Sequence, residues 1–355
     1  MNKHKLNFCN FFKYFHPKVY LFILLSVAAT SAQETKPAQA DGTIVESLPC
    51  AVAEKRTYEQ YLAQQKTIFE QEEKDALRDG YKVSYLDKLD RFVLSRDEFE
   101  QRQNFAGYEC RRIKYMSDGF RVIGFVWKPK NTAGKKLPLV IVNRGGNSNQ
   151  ALLSPQSFYY PFVREGFVVI GSQYRGADGG EGKDEFGGAD VNDVLNLMPL
   201  ARSLEYVDMN NVFLHGVSRG GMQALLAVKR GISVNAVSVV GALTDLAASA
   251  KERPGVAERV WARMMPGYAD KKEELWRERS AIEFADKINV PVMILHGGAD
   301  WRSNAGSQSL ALANKLQSLG KTYELHIYAG DDHPISVNRL DRERKIIDWF
   351  RKFMK

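Results

Sequence analysis

The 355-residue sequence predicts an α/β protein: a mostly parallel sheet with helices on both faces, preceded by an N-terminal helical segment. Three observations carry that expectation. From residue 139 onward short apolar runs alternate with helical patterns, and near-continuous apolar runs are strands buried on both faces. One of them, Val212-Phe213-Leu214-His215, runs straight into Gly216-Val217-Ser218-Arg219-Gly220 and then a helical stretch. That strand, sharp turn and helix form the context in which a serine is held at the apex of a strained turn. Ahead of the alternation, 109–116 and 120–127 read as two strands joined by Ser117-Asp118-Gly119, which adds an antiparallel edge.

Taken in order, residues 1–18 carry Lys3, Lys5, Lys13 and Lys18 and no acid, 19–29 are apolar, and Thr30-Ser31-Ala32 supplies small residues. This is the layout of a secretory signal peptide over 1–32, so the chain is expected to be exported, periplasmic or secreted. The apolar run is shorter than the about 20 residues of a membrane span. No stable span is expected after cleavage, and an uncleaved N-terminal anchor is the alternative. Removing 1–32 removes four lysines and no acid, so the net charge falls from +8 to +4. No block of like charge remains, and nucleic acid is excluded as a partner. Cys9 leaves with the signal, and Cys50 and Cys110 remain as an even pair for which export makes a disulfide plausible. Two separate buried thiols are the alternative.

Residues 33–53 are expected to be a linker, the first part of it small and polar. Over 54–79 the chain is charged, lacks Gly and Pro, and spaces Tyr58, Leu62, Phe69 and Ala76 as a helical stripe that Asp79-Gly80 ends. A second helical stretch covers 83–93. A third begins at Ser95, where Ser95-Arg96-Asp97-Glu98 is a capping-box pattern. The segment 54–104 carries no recognisable chemistry and reads as a packing appendage or lid. The domain proper spans 105–355, with strands expected at 139–143, 167–172, 212–215, 234–240, 290–295 and 323–328. Helices are expected at 190–204, 221–229, 307–319 and 339–353. Residues 246–286 read as a helical insertion at the C-terminal edge of the sheet, where folds of this class keep their sites.

A nucleophilic serine needs a base and an orienting acid, and in an α/β-hydrolase these follow in the order Ser, Asp or Glu, His. Four histidines lie beyond residue 32: His215, His296, His326 and His333. The first three fall at the ends of, or inside, apolar strands and read as structural. His333 instead follows the loop that leaves the last strand, which makes it the general base. The acid expected from the loop after the preceding strand is Asp300, in His296-Gly297-Gly298-Ala299-Asp300, with Asp331 and Asp332 as rivals. The oxyanion donors are the N–H of Arg219 and a second N–H from the glycine loop Asn143-Arg144-Gly145-Gly146-Asn147, with Gly146 favoured and Asn147 the alternative. Arg144, Arg175 and Arg219 crowd the expected mouth; Arg144 and Arg175 are candidate substrate-binding residues, with structural ion pairs as the competing role. The acidic stretch 178–190 lacks the alternate-position ligands of a calcium loop, and no metal or cofactor is expected.

Gly216-Val217-Ser218-Arg219-Gly220-Gly221, Asp300 after His296-Gly297-Gly298-Ala299, and His333 after Gly330-Asp331-Asp332 together resemble the catalytic domain of the prolyl oligopeptidase family of serine hydrolases. So does Gln173-Tyr174-Arg175-Gly176 with Gly187-Gly188-Ala189-Asp190-Val191-Asn192-Asp193 downstream. The resemblance covers about residue 108 to the C-terminus and implies an α/β-hydrolase fold and a Ser218–Asp300–His333 triad. Two features depart from the family pattern. A short, mostly helical segment stands where its peptidases carry a β-propeller, and the glycine loop begins Asn143-Arg144 rather than with His. The expected activity is hydrolysis of acyl bonds in short peptides, with a small-ester carboxylesterase as the alternative. A non-catalytic binding protein is disfavoured because every triad position holds a competent residue.

Overall fold

In the computed structural model, residues 39–51, 54–132, 134–155 and 160–355 are described. The expected signal peptide, 1–32, lies outside them. The strands are β1 (Ile44–Pro49), β2 (Tyr108–Ser117), β3 (Phe120–Pro129), β4 (Leu137–Asn143), β5 (Val168–Ser172), β6 (Val207–Val217), β7 (Ala236–Val240), β8 (Val292–Gly297) and β9 (Tyr323–Tyr328). They form one sheet in the order β1-β2-β3-β5-β4-β6-β7-β8-β9. The pairs β1–β2, β2–β3 and β3–β5 are antiparallel, and every pair from β5 through β4 to β9 is parallel. The α/β-hydrolase class is therefore the observed one, with the antiparallel hairpin on the expected edge.

The parallel strands alternate with period two, yet both of their faces are apolar. In β4, Leu139 and Ile141 enter one core and Val140 and Val142 the other; in β8, Val292 and Ile294 oppose Met293 and Leu295. Helices Arg219–Lys229 and Ala311–Ser318 cover the first face, and Arg339–Lys352 covers the second. Each such side chain taken fully out of water contributes about 1.5–3 kcal/mol, so a one-residue register slip would keep both faces apolar but mismatch their packing.

Two expectations are corrected. Residues 44–49 are not linker but the edge strand β1, paired with β2 from Ile44↔Tyr115 to Pro49↔Arg111. A disulfide joins Cys50 to Cys110 at a Cα–Cα distance of 5.3 Å, directly beyond that ladder. The strand is short, and its polar side chains bind it to β2: Ser47 accepts from Arg111, and Glu46 pairs with Lys114. The stretch 83–93 is not one helix but a 3₁₀ turn, Leu86–Lys88, followed by Leu89–Phe92. The flanking helices start on reciprocal capping boxes, Thr57 with Gln60 for Tyr58–Arg78 and Ser95 with Glu98 for Arg96–Asn104.

The appendage packs by an aromatic cluster, Tyr61, Phe69, Tyr85, Phe92 and Phe99, which also takes in Trp301. Trp301 directly follows Asp300. Ion pairs join the same helices to three neighbouring elements: Glu72 to Arg302, Asp79 to Arg253, and Glu98 to Arg339. Between β7 and β8, the insertion is a chain of short helices ending in Tyr268–Arg279 and the 3₁₀ segment Ala281–Lys287, anchored by the fully buried Trp261. No helix among the described residues is long and apolar enough to cross a membrane.

Candidate active site

The site lies where β4, β6, β8 and β9 end. The chain turns from β4 back to β5 and then across to β6, so loops leaving β4 and β6 diverge and leave a crevice at their carboxyl ends. Ser218 occupies the turn between β6 and the helix Arg219–Lys229 with φ 58° and ψ −127°, a conformation that a residue with a side chain rarely adopts. Tight packing holds it there. A Cβ on Gly216 would run into the Gly220 carbonyl, and one on Gly220 into the Asn143 carbonyl. The Ser218 N–H donates to the Val240 carbonyl at 2.8 Å, and the residue is half-buried at the head of the helix.

Asp300 and His333, 33 residues apart, are brought together with His333 Nδ1 2.6 Å from Asp300 Oδ2. The other carboxylate oxygen, Oδ1, accepts the N–H groups of Arg302 at 2.8 Å and Ser303 at 3.0 Å. Burial by itself raises the Asp300 carboxyl, but the charge and hydrogen bonds of His333 and His296 outweigh it and hold the group well below the usual carboxylate range. The His333 ring lies against Gly241, one residue after the Val240 that receives the Ser218 N–H; a Cβ on Gly241 would come within 2.9 Å of Nδ1. Ser218 and His333 thus flank the same end of β7. Among the described residues no hydrogen bond joins the Ser218 hydroxyl to His333. The rival acids are engaged elsewhere. Asp331 accepts the N–H groups of Val337 and Asn338, and Asp332 accepts from Ser336 N–H and Oγ.

The glycine loop after β4 is arranged by arginines rather than lined by them. Gly146 has φ 67°, open to glycine, and within the described residues the N–H groups of Gly146, Asn147 and Arg219 have no protein acceptor. The guanidinium of Arg144 is buried and donates to the carbonyls of Gln173, Gly145, Ser148 and Gln150, so it shapes the loop from behind. Arg175 is also buried, ion-paired to Asp193 at 2.7 Å and to Asp118 at 2.8 Å. Neither guanidinium is presented to the crevice, which corrects their expected substrate-binding role. The turn after β4 uses a charged donor to satisfy bent backbone carbonyls and the turn after β5 a buried ion pair, and sequence cannot separate those needs from ligand binding.

The Arg219 side chain is buried against Asp184 and Asp190 and donates to the Gly146 carbonyl at 3.2 Å. Asp184 also accepts the Ser148 N–H at 3.2 Å, so one ion pair ties the glycine loop to the first turn of the serine helix. These acids were not singled out as partners of Arg219; their positions in the turn before the helix Val191–Leu195 were the available signal. His215 is a structural histidine, 2.8 Å from Ser238 Oγ and pushed down to about 3 by burial and by Arg342. His326 contacts Glu324. His296 behaves differently: it lies 3.1 Å from Asp300 Oδ2. No group of three or more His, Cys, Asp or Glu residues that could hold a metal occurs among the described residues.

The prolyl oligopeptidase family model matches residues 155–355. The chain is 30% identical over 243 residues to the uncharacterized peptidase YtmA of Bacillus subtilis, covering 67% of this chain and 92% of that protein. It is 28% identical over 235 residues to human dipeptidyl peptidase 8, but spans 25% of that protein's length. In fold it is similar to the Pyrococcus horikoshii acylaminoacyl peptidase, with a TM-score of 0.62 at 19% identity, covering 71% of this chain and 43% of that one. A puromycin-hydrolyzing peptidase of Mycobacterium tuberculosis superposes with a TM-score of 0.61 at 22% identity, over 71% of this chain and 40% of the other. With the family model spanning more than half of the sequence, the chain belongs to the prolyl oligopeptidase family and is a serine hydrolase.

Proposed function

We propose that the protein is an exported serine peptidase that cleaves short peptides through an acyl-enzyme on Ser218. The observation that carries this reading is the 2.6 Å contact of His333 Nδ1 with Asp300, set across the end of β7 from a serine in a strained turn. Because Nδ1 is committed to Asp300, Nε2 is the nitrogen left to take a proton from Ser218 Oγ. The oxygen then attacks the scissile carbonyl, and the resulting oxyanion is received by the N–H of Arg219 and that of Gly146 or Asn147. Collapse breaks the C–N bond as the Nε2 proton passes to the leaving amine. A water then loses its proton to Nε2 and its oxygen attacks the ester, and the proton returns to Ser218 as the acid leaves. Asp300 stays ionised throughout and stabilises the imidazolium.

The peptide preference is supported by the named peptidases among the relatives, and export by the N-terminal layout together with the Cys50–Cys110 disulfide. A fluorophosphonate probe should label the wild type and not Ser218→Ala; equal labelling of the two ends the Ser218 assignment. Paired aminoacyl p-nitroanilides and p-nitrophenyl esters then separate the chemistries, and turnover of esters alone makes the protein a carboxylesterase. Export requires that the protein purified from outside the cytoplasm begin near Gln33, read by intact mass.

A further inference from the structure

Asp300 is engaged by a second histidine that the triad does not use. His296, at the end of β8 and fully buried, places Nε2 3.1 Å from Asp300 Oδ2 and 2.7 Å from the Ser303 carbonyl. Its Nδ1 lies 2.6 Å from Ser309 Oγ. A carbonyl only accepts, so Nε2 carries a hydrogen whatever the charge of the ring, and Ser309 occupies the other nitrogen. Oδ1 of Asp300 is already taken by two backbone N–H groups. Oδ2 is therefore the atom on which His333 and His296 converge.

We propose that His296 is a positioning residue of the catalytic acid: its Nε2–H, bonded to the Ser303 carbonyl, holds the turn whose N–H groups bind Asp300 Oδ1, and its dipole, 3.1 Å from Oδ2, sets the basicity that His333 feels. This rests on the triad reading above. The spacing, His296 to Asp300 across Gly297-Gly298-Ala299, folds the loop back on the strand that launched it. The Ala299 N–H donates to the Asp331 carbonyl, and the Gly298 N–H to the Tyr328 carbonyl, so this loop and the β9 loop are stitched together. The ring itself is fully buried. Around the carboxylate the other charged or titratable groups are Arg302, itself paired to Glu72, and Asp332 and Tyr85 from the facing elements.

Removing the Nε2–H leaves more negative charge on Oδ2, which favours the imidazolium of His333. The acidic limb of the kcat/KM–pH profile then moves to higher pH. For His296→Phe the expected result is a fall in kcat of about two- to tenfold, the range of a neutral hydrogen bond, with KM little changed. The limb should rise by about 0.5–1 pH unit. His296→Gln, whose amide N–H reaches the same position, should recover the larger part of both effects. An unshifted limb and wild-type kcat in folded H296F overturn the proposal, as does H296Q matching H296F in every respect. If H296F does not fold, H296Q decides: near-native kcat and limb support the role, and a folded but inactive H296Q overturns it. Ser218→Ala run alongside keeps the two readings apart, because an active S218A defeats the triad itself, whereas an inactive S218A beside an unaffected H296F defeats only the role of His296.

Discussion

Arg219 and Arg302 stand in matching places, one residue after Ser218 and two after Asp300, and both are ion-paired, yet the two sides of the site are built differently. The Arg219 side chain is 2% exposed and pairs with Asp184 and Asp190, which are 5% and 0% exposed and come from the same sheet domain. The Arg302 side chain is 32% exposed and pairs with Glu72, 25% exposed, from the N-terminal helical appendage. A buried pair cannot be loosened without stranding a charge, whereas a hydrated pair gives little net stability. The serine and glycine-loop side is therefore locked by the core that makes the sheet. The acid side is held by the packing of a separate helical layer over Trp301, with ion pairs that set its alignment.

The largest test is of the locked side. Arg219→Ala should cost about 3–5 kcal/mol in urea unfolding, because Asp184 and Asp190 would remain buried without their counter-charge. A loss under about 1 kcal/mol would erase the contrast. Next is the tether that ties Cys50, just ahead of the appendage, to β2. The double change of Cys50 and Cys110 to Ser should lower stability by about 2–4 kcal/mol, the range for a native cross-link, while leaving the serine reactive toward a fluorophosphonate.

A smaller effect is expected from acid. The Asp300 carboxyl is held below its ordinary value in the folded state, so it contributes stability that is full above the unfolded value of about 3.9 and is lost as pH falls below it. Thermal melts from pH 6 to pH 3 should show Asp300→Asn declining less steeply than the wild type; parallel declines would remove Asp300 from the acid response. The smallest change in stability is predicted for Glu72→Gln, under about 1 kcal/mol. Its kcat should nevertheless fall severalfold, since Arg302 also supplies a backbone N–H to Asp300 Oδ1. If kcat is unchanged, the appendage does not align the acid loop.

Much of this was legible in the chain. Ser218, Asp300 and His333 could be named as candidates because each follows an apolar strand, in the order that an α/β-hydrolase imposes, and parallel strands all deliver their loops to one edge; of the three, Asp300 and His333 are the two in hydrogen-bond contact. The capping boxes at Thr57 and Ser95 were equally local, each a side chain reaching a backbone N–H three residues on. The two roles open to Arg144 and Arg175 could not be separated in the chain, because guanidinium groups that satisfy buried carbonyls and carboxylates are, in sequence, identical to those that meet a ligand. The edge strand β1 was missed because its six residues, Ile44-Val45-Glu46-Ser47-Leu48-Pro49, show no regular apolar and polar alternation, and its place is fixed by the ladder with β2.

The sequence by itself determined the alternating strands of the parallel sheet and its antiparallel hairpin, the glycines that let Ser218 take a positive φ, and the candidate triad, since strand alternation and turn chemistry act over a few residues. Tertiary structure alone decided that the appendage packs on Trp301, that Glu72 meets Arg302 across 230 positions, and that His296 shares Asp300 with His333. Those contacts depend on which surfaces are buried together. Burial is what turns an ordinary histidine or arginine into a fixed part of the site.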